Sequence, residues 1–136
     1  MTDALVIDTN VILEWLLNER ATRVGSDTQA MMLTAHLTAP RQLWSEAHTG
    51  ILKRERAGGL SASERGEAFA ALDKLGIEYV DGGAADRARV LTLAVSAGLT
   101  IYDAFFLDVA IERDVSLATN DRALRRAARA EGVPLV

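Results

Sequence analysis

The sequence predicts an α/β domain built on a parallel sheet covered on both faces. Three observations point there. Short unbroken apolar runs such as Ala4-Leu5-Val6-Ile7 end abruptly in polar residues, the pattern of strands buried on both sides. Segments of helical periodicity separate these runs, and alternation of the two types favours parallel strands joined by crossover helices. The length of 136 residues suits one domain, 1–136, large enough to bury a substantial core.

Each element has its own signal. Residues 4–7 form the first strand, and Asp8-Thr9-Asn10 opens an apolar helix over 11–17. A polar stretch, 18–27, precedes a helix over 28–37, and Thr38-Ala39-Pro40 reads as a brief extended segment. From Gln42 the pattern is helical to Arg56, with Leu43, Ala47 and Ile51 on one stripe, before Gly58-Gly59. Ser61 and Glu64 have the spacing of a capping box for a helix to Leu75, stopped by Gly76. Residues 77–80 form a strand, Asp81-Gly82-Gly83 a turn, and 84–97 a helix ended by Gly98. Residues 102–112 are apolar on nearly every side, which marks a helix packed inside the molecule. A strand over 115–118, a helix over 121–130 closed by Gly132, and a last strand over 133–136 complete the chain.

Composition removes several classes of function. With no Cys there is no disulfide scaffold, thiol nucleophile, iron–sulfur cluster or cysteine zinc site, and a reducing cytoplasm suits the chain. Met1-Thr2-Asp3 lacks a basic leader and Asp8 interrupts the first apolar run, so a soluble chain without secretory signal or membrane span is expected. The net charge of −4 argues against nucleic-acid binding at first sight. If four carboxylates belong to one metal pocket, however, the remainder is neutral. Thirteen of the fifteen basic residues are Arg, the better residue for bidentate phosphate contacts.

Two strands end in acid clusters: Leu5-Val6-Ile7 runs into Asp8, and Ser116-Leu117-Ala118 into Thr119-Asn120-Asp121. Ligands of parallel sheets bind beyond the carboxyl ends of strands where strand order reverses, so both ends can face one crevice. Glu46 stands at the edge of the Leu43/Ala47/Ile51 stripe. Asp103 opens the interior helix, where free N–H groups and the dipole favour its ionised form. Oxygen donors without Cys suit Mg²⁺ or Mn²⁺ rather than zinc. Each acid also has a purely structural reading: Asp8, Asp103 and Asp121 as helix caps, Glu46 as a solvated helix residue. The set of four carries the functional reading.

These motifs, Val6-Ile7-Asp8-Thr9-Asn10-Val11, Glu46 after Pro40-Arg41-Gln42-Leu43-Trp44-Ser45, Tyr102-Asp103-Ala104 and Leu117-Ala118-Thr119-Asn120-Asp121-Arg122, resemble in order and spacing the PIN-domain ribonucleases, specifically the VapC toxins of bacterial toxin–antitoxin pairs. The resemblance covers essentially the whole chain. It implies a three-layer α/β/α sandwich with a central parallel sheet, a carboxylate pocket holding Mg²⁺ or Mn²⁺, and cleavage of RNA phosphodiesters. Asp8, Glu46, Asp103 and Asp121 are then the catalytic and metal-holding acids. Thr9, Asn10 and Thr119 match polar positions that orient an acid or a water. A cognate antitoxin and a homodimer are the partners it implies, and substrate choice is assigned to residues 18–38.

The chemistry agrees with the residues available. A metal that acidifies water and neutralises phosphate supplies both nucleophile and electrophilic support, and only His36 and His48 exist to serve any triad. His48 points about 200° from Glu46 on a helix; both histidines are read as core or surface residues. Arg122, Arg125, Arg126 and Arg129 share one face of the last helix, so Arg122 and Arg126 are candidate RNA contacts. Lys53, Arg54 and Arg56 complement the dipole of the Glu46 helix. The competing readings are a catalytically idle PIN-like RNA-binding or assembly module and a Mg²⁺-dependent phosphatase. The phosphatase would need a second Asp where this chain has Asn10, and a receiver domain would need a late-strand Lys that is not visible.

Overall fold

The structure, a computed structural model, describes residues 4–17 and 26–136. Met1-Thr2-Asp3 and most of the polar stretch 18–27, with the substrate-choice role read into its first part, lie outside the described residues. The elements are β1 (Ala4–Ile7), α1 (Thr9–Leu16), α2 (Ser26–Thr34), β2 (His36–Pro40), α3 (Gln42–Arg56), α4 (Ala62–Lys74), β3 (Glu78–Val80), α5 (Ala84–Ala97), α6 (Ile101–Arg113), β4 (Ser116–Ala118) and α7 (Arg122–Ala130).

The strands form one parallel sheet in the order β3-β2-β1-β4. The chain steps outward from β1 to β3 and then returns to the far side of β1, so the order reverses between β1 and β4. Adjacent residues of a strand point to opposite faces. Leu5, Val6 and Ile7 are all 0% exposed, so β1 is covered on both sides, as its unbroken apolar run requires. On one side α6 lies against β1, β2 and β4 with α5 and α7 beside it; α1, α3 and α4 pack together on the other. The result is the expected α/β/α sandwich.

Local signals explain most boundaries. Ser61 and Glu64 form the reciprocal capping box, Gly98 ends α5 at φ 66°, and Thr100 caps α6 by accepting from the Asp103 N–H at 3.1 Å. Gly50 acts through space rather than through φ. A Cβ there would lie 2.6 Å from Leu13 Cδ1, so its absence lets α1 approach α3. Among the described residues no single helix is long and apolar enough to cross a membrane.

Two boundaries depart from the sequence reading. The helix expected over 28–37 ends at Thr34, because His36, Leu37 and Thr38 pair with Ala4, Leu5 and Val6 of β1. Leu37 and Thr38 are buried, and sheet pairing outweighs the helical continuation. The last strand expected over 133–136 is instead a single bridge, Leu117 to Leu135. Pro134 has no N–H to extend a ladder. Its carbonyl accepts from Leu117 N, and Val136 N donates to Leu117 O, which covers the outer edge of β4.

α6 is the central packing element: Ala104, Phe106, Leu107, Val109 and Ala110 are buried in the core. Phe106→Ala is expected to lower unfolding free energy by about 3–5 kcal/mol, read as a fall in the urea midpoint at unchanged slope. A loss below about 1 kcal/mol would mean that α6 does not hold the layers together.

Candidate active site

Parallel pairing sets the first two acids. Asp8 follows β1 directly, and its N–H donates to Ala118 O at 3.0 Å, so the ends of β1 and β4 are locked side by side. Asp121 lies three residues beyond Ala118, at the start of α7. Asp8 and Asp121 both act as helix caps, Asp8 accepting from Thr9 N at 2.7 Å and Asp121 from Leu124 N at 2.8 Å. The cap and the site are therefore one geometry: each carboxylate is turned towards a helix N-terminus that opens on the same crevice.

Thr119 links the two. Its hydroxyl donates to Asp8 Oδ2 at 2.7 Å and accepts from Asp121 N at 3.1 Å, and it is 2% exposed. Glu46 enters from the second turn of α3 and Asp103 from the first turn of α6. Gln42, one turn before Glu46, donates to Tyr102 O at 3.0 Å and so ties the start of α3 to the start of α6.

The electrostatics show that the acids adjoin. Burial pushes the Asp8 carboxyl up to about 6; Thr119 and the Thr9 N–H oppose this, and the Asp103 and Asp121 charges add to it. Glu46 is raised by burial first, then by the charges of Asp8 and Asp103. Asp103 is raised by burial first and then by the Asp121 charge, against the pull of the helix dipole that the sequence suggested. Desolvation and a neighbouring carboxylate outweigh the dipole at a half-buried position. Among the described residues no Lys, Arg or His forms an ion pair with any of the four.

Two buried oxygens, Glu46 Oε1 and Thr9 Oγ1, have no hydrogen-bond partner. Gln42 and Thr9 sit near enough to Glu46 to lower its pKa, yet neither reaches hydrogen-bond geometry with Oε1. As they stand, no three acidic or histidine side chains among the described residues are arranged to hold a metal ion. The donor set nevertheless fits a hard cation: all-oxygen, negatively charged and, among the described residues, lacking a cationic partner and leaving one carboxylate oxygen orphaned.

The remaining sequence candidates separate. Asn10 is exposed and lines a groove of about 890 Å³ that opens beside Asp121. Arg122 lines the same groove, whereas Arg126 is exposed outside its lining. Arg125 is occupied, donating to Thr119 O at 2.9 Å. His48 stacks between Trp44 and Phe69, and His36 pairs with Glu78, both away from the acids. The sequence reading missed Glu14, which accepts from Asn120 Nδ2 at 3.0 Å, and Gln42. Their i, i+4 spacing from Asn10 and to Glu46 was the available signal. It also missed Asp108, buried in α6 and paired with Arg89 at 3.3 Å.

The raised acids make stability depend on pH in a definite direction. Folded Asp8 keeps its proton to about pH 6, whereas the unfolded carboxyl releases it near 3.8. The folded state thus binds more protons across that window, and stability falls as pH rises through it, by about 3 kcal/mol from Asp8. In chelator, the melting temperature should fall between about pH 4 and pH 6.5, and Asp8→Asn should remove most of that fall without melting lower than wild type at pH 7. A wild-type melting temperature that rises across the window would contradict this assignment.

No curated protein matches the chain in sequence. Solved structures share its fold. PAE2754 from Pyrobaculum aerophilum aligns over 99% of this chain and 84% of its own with 23% identity and a TM-score of 0.71. VapBC2 from Rickettsia felis, solved bound to a DNA fragment from its promoter, aligns over 98% and 97% with 16% identity and a TM-score of 0.63. FitAcB from Neisseria gonorrhoeae aligns over 96% and 95% with 20% identity and a TM-score of 0.65. The PIN domain family model matches residues 5–130, a span that runs from β1 through all four acids to the end of α7. The chain belongs to the PIN domain family.

Proposed function

We propose that the chain is a metal-dependent endoribonuclease and the toxin of a toxin–antitoxin pair. The observation that carries this reading is the set of four carboxylates gathered at the strand-order reversal with no cationic side chain paired to them among the described residues. PIN domains are generally nucleases, and a phosphodiester is the substrate for which such a pocket is chemically suited. The shared fold with VapBC2 and FitAcB supports the toxin assignment and a cognate antitoxin as partner. A homodimer belongs to the same reading.

Asp8, Glu46, Asp103 and Asp121 would hold Mg²⁺ or Mn²⁺, which when bound neutralises phosphate charge and acidifies a water. The chain's own residues do the positioning. Thr119 fixes one oxygen of Asp8 and the Thr9 N–H the other, so the buried acid cannot rotate. Glu46 keeps one oxygen unbonded in the half-buried pocket, available to a ligand or to a proton of the attacking water. Asp103 and Asp121 are only half-buried and form the open side through which a phosphate enters.

Purified chain free of antitoxin should cleave RNA with Mg²⁺ or Mn²⁺ and stop on addition of EDTA. Outer contacts to metal-site acids are typically worth about 10- to 100-fold in activity, so Thr119→Val should fall in that range while Asp8→Asn, Asp103→Asn and Asp121→Asn lose more. Cleavage that persists in EDTA would overturn the metal role. Inactive wild type with all four acids intact would favour the idle RNA-binding module.

A further inference from the structure

The groove beside the acid pocket brings together residues that are far apart in sequence. α1 and its C-cap contribute Leu13 and Leu17, α3 contributes Lys53 and Arg54, and α7 contributes Arg122, with Asp121 at the pocket end. Elsewhere four arginines are spent on neighbouring acids: Arg41 pairs with Asp81, Arg65 with Glu55, Arg89 with Asp86, Asp108 and Glu112, and Arg113 with Glu78. Lys53 and Arg122 are set apart by lining the groove, which the exposed Arg56, Lys74, Arg126 and Arg129 do not. Both are exposed, and neither makes an ion pair among the described residues. The lining sets Lys53, Arg54 and Arg122 against Glu14 and Asp121, a net positive strip on a chain of net charge −4.

We infer that this groove carries the RNA strand leading to the acids, with Lys53 and Arg122 as positioning residues for its phosphates. The inference rests on the nuclease reading above. A groove that ends at Asp121 delivers its occupant to the carboxylates, so the occupant must be anionic along its length and tolerate the acids at one end. A nucleic-acid strand with its reacting phosphate at the pocket meets both conditions. The apolar surface of Leu13 and Leu17 specifies a single strand, whose unstacked bases and sugars offer apolar faces that a duplex hides. Lys53 stands in the last turn of α3, where it also complements the helix dipole; in the groove that charge has a second use. Gly50, also in the lining, allows the approach of α1 to α3 that shapes this surface.

The test compares wild type, Lys53→Ala/Arg122→Ala and Arg126→Ala, binding a labelled single-stranded RNA in EDTA over a range of salt, with Mn²⁺-supported cleavage measured alongside. All the replaced side chains are exposed, so melting temperatures should agree. For two lost phosphate contacts the slope of log affinity against log salt should shrink by about 1.4. KM should rise at unchanged kcat, and Arg126→Ala, outside the groove, should behave as wild type. Wild type that neither binds nor cleaves RNA overturns the nuclease reading and this inference with it. Wild type that binds and cleaves, with an unchanged slope in the double variant, overturns the groove assignment alone. Loss of binding to a poly-glutamate peptide with RNA affinity unchanged would likewise overturn it, making the groove a protein-docking site.

Discussion

The arrangement turns on one electrostatic constraint: carboxylates placed together, partly out of water, with no positive side chain of the described residues paired to them. Like charges in a desolvated crevice oppose folding, and the raised carboxyls of Asp8, Glu46 and Asp103 record that opposition. What holds the acids there is the sheet. β1 is buried on both faces and paired with β4 through to Asp8, so Asp8 and Asp121 cannot separate without breaking the core. Under the proposed function a cation would relieve the constraint, and the same relief would let the pocket receive a phosphate.

The hydrogen bonds around the acids show how local and functional demands are met by one set of atoms. Asp8 and Asp121 cap helices, a role sufficient to explain an Asp at either position, yet both caps face the crevice between β1 and β4. Thr119 satisfies Asp8 with its hydroxyl proton and the Asp121 N–H with its lone pair. Glu46 Oε1 has no hydrogen-bond partner among the described residues, and a buried carboxylate oxygen of that kind calls for a ligand or a water.

These features were unequally legible in the sequence. The unbroken run Leu5-Val6-Ile7 announces a strand covered on both sides, and the acids at strand ends announce the crevice, because both depend on short-range pattern and on the topology of parallel sheets. Glu46 was legible only as the edge of an apolar stripe. The start of β2 was not legible, since His36 and Leu37 continue a helical run and only pairing with Ala4 and Leu5 decides their state. Nor was the bridge at Leu135, whose partner is Leu117. Lys53 was visible as a helix-end charge and Arg122 as part of an arginine face, but their common groove exists only because α3, α1 and α7 meet.

The most direct test of the acid pocket as a cation site is a calorimetric Mn²⁺ titration of the EDTA-stripped chain near pH 6, in buffers of different ionisation enthalpy. Metal binding must displace any proton held by its ligands. With the Asp8 carboxyl at about 6, roughly half a proton per ion should be released from it near pH 6, and almost none at pH 8. Asp8→Asn should weaken binding and abolish that release. Absence of Mn²⁺ binding, or binding whose proton release is zero near pH 6 and unaffected by Asp8→Asn, would show that the four carboxylates are not where the ion sits.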